Sequence, residues 1–165
     1  MAAEASGHVA LCSGAAFGVS KRDLEETKEE GAVMAYTRFV LDIAHKEGAA
    51  GLETLVVTMP CLLGYADMGD RLRQADRDLN GGVELKADTE PKTLPASLRK
   101  WYRQYTSAEY LTAVKAGLVK MESLAAGLAG GLGGERMEKL QGLWDVAVRL
   151  ERGMWDEALR VGEDA

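Results

Sequence analysis

The stretch "MPCLLGYADMG", residues 59–69, sets a proline beside a cysteine inside a segment whose apolar spacing is otherwise helical. Leu52, Leu55, Val56, Met59, Leu63 and Ala66 recur at the intervals of one helix face, so the pattern runs straight through Pro60. Thr54, Thr58, Cys61 and Tyr65 gather on the opposite side. No charge occurs between residues 54 and 66, which implies a helix buried on both faces. Pro60 withdraws the hydrogen bond to the Val56 carbonyl and is expected to bend the helix, freeing that carbonyl and turning Cys61 toward a cavity. A row of hydroxyls with one thiol suits a pocket wall. The bland alternative is a cysteine that merely packs.

Outward from this segment the chain reads as mostly helical, with only three prolines in 165 residues and no hairpin signal. Residues 2–13 read as the end of a helix. Ser20 is a good N-cap, with Asp23 at the capping-box position, so "SKRDLEETKEE" opens a helix that Gly31 interrupts. Ala32, Tyr36, Phe39, Val40 and Ile43 then form an apolar stripe that closes at "HKEGAAG". The Pro60 helix covers about 52–75, and a polar insert loop with two glycines and two prolines follows at about 76–96. A short helix ends near Tyr105. A longer one, capped by Ser107, carries Tyr110, Val114, Leu118 and Met121 on one face and stops at "AGGLGG". The last helix is "ERMEKLQGLWDVAVRLERGMWDEALR".

That last helix carries a charge on the wrong face. Met137, Leu140, Trp144, Ala147, Met154 and Ala158 lie along one stripe, and Glu151 occupies the turn between. A carboxylate facing a core costs several kcal/mol unless it is paired, hydrogen-bonded or protonated. Two readings stay open: an edge carboxylate paired with Arg38 or Arg152, or a buried general acid/base with a raised pKa.

Composition bounds the rest. An apolar fraction of 47%, a charged fraction of 28%, a net charge of −6 and a pI near 5.0 describe a globular chain and argue against nucleic acid or an anionic membrane as partner. Two cysteines and two histidines supply neither a disulfide framework nor a metal-ligand cluster, so no cofactor is expected and a reduced, cytoplasmic setting is. The N-terminal stretch lacks a basic n-region, and no run of about 18 apolar residues exists, so neither a secretory signal nor a membrane span is expected. Heme held by His8 or His45 finds no support, since neither sits on a buried stripe.

Taken together, these residues resemble the TenA (thiaminase II, aminopyrimidine aminohydrolase) family of the heme oxygenase-like fold. "AVMAYTRFVLDIA" is similar to its aromatic helix, "MPCLLGYADMGDRL" to its proline–cysteine helix, "RKWYRQYTSAEY" to its Trp/Tyr turn and "RLERGMWDEAL" to its closing Glu-x-x-Phe-Trp helix. The resemblance implies one all-α domain over residues 1–165, a heme oxygenase-like bundle of about five to six helices. It covers the C-terminal two-thirds of the family fold. It also implies that Cys61 is a nucleophile toward a pyrimidine ring and that Glu151 relays protons. Tyr36, Tyr65, Tyr105 and Met154 would contact the substrate. The ligand would be a pyrimidine or thiamine-like small molecule, cleaved to hydroxymethylpyrimidine. Met154 stands where the family favours Phe, and the family's earlier helices, with a substrate-holding aspartate and tyrosine, find no counterpart. The alternative is a non-catalytic helical protein that acts as a binding or interaction module.

Uncovering several hundred Å² of apolar surface costs on the order of 10 kcal/mol, comparable to a whole domain's stability. Without those earlier helices one face of the bundle is expected to be bare, and so to be covered by a second copy or a partner chain. Size-exclusion chromatography with light scattering should show the purified chain larger than a monomer, and a well-folded monomer would contradict the bare face.

Overall fold

The computed structural model describes residues 9–10, 12–13, 18–47, 51–86, 94–128 and 130–163. It is all-helical, with six helices and no strand among the described residues, as the heme oxygenase-like resemblance implies. They are α1 (Lys21–Glu26), α2 (Gly31–Glu47), α3 (Leu52–Leu79), α4 (Ala96–Tyr105), α5 (Ala108–Ala126) and α6 (Gly134–Glu163). Most of the helix expected over 2–13 lies outside the described residues. No described helix is long and apolar enough to cross a membrane. The chain divides into two compact units, residues 1–28 with 65–111 and residues 29–64 with 112–165; α3 and α5 each contribute to both.

Local chemistry sets the helix starts. Ser20 Oγ accepts from the Asp23 N–H at 3.0 Å and donates to its carboxylate at 2.6 Å, closing α1's first turn. Ser107 Oγ accepts from the Tyr110 N–H at 3.2 Å and caps α5 in the same way. α3 runs unbroken through Pro60 and on to Leu79, past residue 75 and into the stretch assigned to the insert. It stops where Gly81 and Gly82 take left-handed φ values of 66° and 86°, and the Gly82 N–H returns to the Arg77 carbonyl at 2.8 Å. Of the insert, residues 87–93 lie outside the described residues.

In the first unit the ionic centre is Asp76. Sequence alone assigned it to a polar loop, but it lies on α3 with no solvent exposure. Its carboxylate accepts from Arg99 Nε at 3.0 and 3.2 Å, from the Tyr102 hydroxyl at 3.0 Å and from Asn80 at 3.2 Å. Burial, together with the bond to Asp76, raises the Tyr102 pKa and keeps its phenol a donor. Arg103 adds a bond to the Leu85 carbonyl and a 3.7 Å ion pair with Glu84, tying the start of the insert to α4. α3 and α4 approach closely at Gly69, where an added Cβ would stand 3.1 Å from Tyr105 Cβ.

In the second unit α3, α5 and α6 enclose the apolar core, with Leu52, Val56 and Leu140 at its centre and Met121, Leu124, Leu143 and Trp144 packed around them. Met59 is fully buried, and its sulfur would lie 2.9 Å from a Cβ at Gly117, so any side chain there would require the Met59 thioether to shift. α2 packs along α6.

Removing one partner of a buried ion pair strands the other charge. Asp76→Ala should therefore cost about 3–5 kcal/mol in urea unfolding. Arg71→Ala, which breaks an exposed pair with Asp67, should change stability by less than about 1 kcal/mol.

Candidate functional site

The second unit brings Tyr36, Cys61 and Glu151 together. α6 carries Glu151 inward at its apolar stripe, between the fully buried Ala147 and the half-buried Met154, and leaves it 9% exposed. Neither arginine weighed as its partner reaches it. Arg152 turns to Asp156 at 3.5 Å, and Arg38 lies exposed. Glu151 is instead hydrogen-bonded to the side chains of Cys61 and Trp155. Burial raises its pKa, and those two bonds hold it partly back because they favour the ionised form. Its Oε2 is buried without a hydrogen-bond partner.

Cys61 forms no disulfide and is half-buried, and its side chain meets the Glu151 carboxyl. Tyr36, on α2, donates its hydroxyl to the Val57 carbonyl at 3.1 Å. Its pKa is raised first by burial and then by the negative charge of Cys61 and Glu151 beside it, so it stays a neutral phenol. Thr58 points its hydroxyl back at the Thr54 and Leu55 carbonyls, 3.0 and 3.1 Å away.

The resemblance implies three further residues, Tyr65, Tyr105 and Met154. Met154 lines a small groove of about 310 Å³ with Ala32, Val33 and Ala158, rimmed by Glu30 and Glu157. Tyr65 and Tyr105 belong to the first unit, where they stack on each other with centroids 4.8 Å apart. Trp101 tilts against both, and Tyr110 meets Tyr105 edge-on at 5.0 Å. Tyr105 is buried, its ring held by neighbouring aromatics. His45 is exposed, and His8 lies outside the described residues.

Trp155 is the Trp of the closing motif quoted from the sequence, but no role is assigned to it there. Its signal was available: it stands four residues after Glu151 on α6, so the two side chains share a helix face. A buried carboxylate facing a thiol, with one oxygen open, can take a proton from sulfur and deliver it to a bound molecule.

Residues 2–161 match the TENA/THI-4/PQQC family, and the chain belongs to that family. Over 150 residues it is 30% identical to a Schizosaccharomyces pombe protein named "Putative hydroxymethylpyrimidine/phosphomethylpyrimidine kinase 2", an alignment covering 90% of this chain and 23% of the relative. An uncharacterized Haemophilus influenzae protein is 24% identical over 143 residues, covering 87% of this chain and 57% of that one. The chain thus spans under two-thirds of either relative's length. No solved structure matches it.

Because the Glu151 carboxyl holds its proton more tightly folded than unfolded, stability is complete below the ordinary glutamate pKa. It declines as pH rises from that value through the folded pKa, then levels off. Glu151→Gln should therefore be more stable than wild type in thermal unfolding at pH 7, with the advantage shrinking as the pH falls toward 4.5 and changing little below it.

Proposed function

We propose that this chain carries the reacting pair of a thiamine-pyrimidine salvage hydrolase, with Cys61 as nucleophile and Glu151 as proton carrier. The reading rests on one observation above all: the thiol is hydrogen-bonded to a buried carboxylate whose pKa is raised. Family membership and the pyrimidine named in the yeast relative's title support the substrate class.

A cysteine thiol is mostly protonated at neutral pH and needs a base to attack. Glu151 receives the Cys61 proton as sulfur bonds to a ring carbon of the pyrimidine, and the displaced electron pair moves to a ring nitrogen, which takes that proton. The enamine formed expels the group on the exocyclic methylene, and the leaving nitrogen departs with the bonding pair, as ammonia once protonated or as neutral thiazole. Water then adds to the methylene and yields a proton to Glu151. The carbon–sulfur bond breaks, and the thiol is restored. The sum is substrate plus water giving hydroxymethylpyrimidine plus amine, or plus thiazole and a proton.

Incubation with aminomethylpyrimidine or thiamine should release hydroxymethylpyrimidine, detected by chromatography. Cys61→Ser should abolish turnover, and Glu151→Gln should lower it by about 10²–10⁴-fold. Turnover that survives in Cys61→Ser would remove the nucleophile from the scheme. Ligand binding without turnover in wild type would favour a binding module.

A further inference from the structure

We propose that Tyr36 is a positioning residue: its phenol ties α2 to the Val57 carbonyl and so fixes the Pro60 turn of α3 that presents Cys61 to Glu151. The inference rests on the reading of Cys61 and Glu151 as the reacting pair and gives Tyr36 a task other than walling the substrate.

In an α-helix each carbonyl accepts from the N–H four residues on. Pro60 has no N–H, so the Val56 carbonyl loses that partner, and the ring crowds the same turn. The next acceptor is the Val57 carbonyl, to which the Cys61 N–H is directed. That is the carbonyl Tyr36 grips, at 3.1 Å, from another helix. One turn earlier, Thr58 places its hydroxyl on the Thr54 and Leu55 carbonyls. Hydroxyls back-bonded in this way loosen and bend a helix. The two hydroxyls therefore act on the backbone on either side of the proline gap, and the one from α2 sets where the cysteine-bearing turn lies.

A tyrosine hydroxyl carries a single proton. Spending it on Val57 leaves Tyr36 no donor for a ligand. Burial and the neighbouring Cys61 and Glu151 keep that phenol neutral, so the bond persists across the pH range in which the site would work. The ring itself would survive replacement by phenylalanine, so the hydroxyl can be tested alone.

The test is a cycle of Tyr36→Phe and Glu151→Gln in the full chain. The alkylation rate of Cys61 by iodoacetamide is read by mass spectrometry on its own peptide, apart from Cys12. No substrate is needed, so a chain that fails to turn over thiamine still decides the matter. Glu151→Gln should shift the Cys61 rate several-fold in the wild-type background and leave it nearly unchanged in Tyr36→Phe, a coupling within the range measured for residues in contact. Equal effects in both backgrounds, including none in either, would overturn the proposal. Amide exchange over residues 57–62 should also speed up in Tyr36→Phe, and unchanged exchange would count against it. Where turnover is measurable, Tyr36→Phe should lower kcat with KM nearly kept; a raised KM with kcat kept would mean that the phenol serves the substrate directly.

Discussion

The arrangement of the second unit turns on one buried carboxylate. Glu151 occupies a position that α6's apolar stripe would otherwise give to a hydrophobic side chain, and it is held there by a thiol from α3 and an indole from its own helix. Each bond favours the ionised form, while burial favours the neutral one, and burial is the larger effect. A carboxyl that holds its proton more tightly than usual is better matched to a thiol as a proton-transfer partner. A Leu at the same position would pack better, and the stripe would then have no chemistry.

The proline beside Cys61 has a corresponding physical role. A regular helix would bury Cys61 with all its backbone bonds satisfied and its turn set by the ladder alone. Pro60 removes one rung, and the position of the sulfur then depends on tertiary contacts. Those contacts are specific: the Tyr36 phenol from α2 on the Val57 carbonyl and the Glu151 carboxylate from α6 on the thiol. Because α2 packs along α6, the two helices that grip the Cys61 turn also brace each other. The proline converts a local bond into a tertiary one and couples the thiol to two other helices.

What could be read from the sequence follows the range of the interactions involved. The caps at Ser20 and Ser107 are three-residue bonds, and they form as expected. The misplaced charge at 151 shows within one helix period. Asp76 does not: its partner Arg99 is 23 residues away, and with glycines and prolines close by the segment reads as loop until the two meet. The stacking of Tyr65 on Tyr105 joins residues far apart in the sequence, so it shows only once the fold brings the rings together. Trp155 was in plain view at four residues from Glu151, but a half-exposed tryptophan near a helix end has no periodicity that marks it as a hydrogen-bond donor.

Two of the buried carboxylates among the described residues, Asp76 and Glu151, contrast in how they are satisfied. Asp76 is surrounded by donors from Arg99, Tyr102 and Asn80, and its charge is matched by a guanidinium with no solvent exposure. Such a group is stable because nothing remains for it to do; any proton or ligand would have to displace an existing bond. Glu151 has no cation against it and leaves Oε2 buried and open. An unsatisfied buried acceptor costs about 1–3 kcal/mol. The open atom lies on the carboxylate that faces the thiol, so the cost is concentrated where a bound molecule could recover it. That contrast, drawn within one chain, is what supports the proposed roles of Cys61 and Glu151.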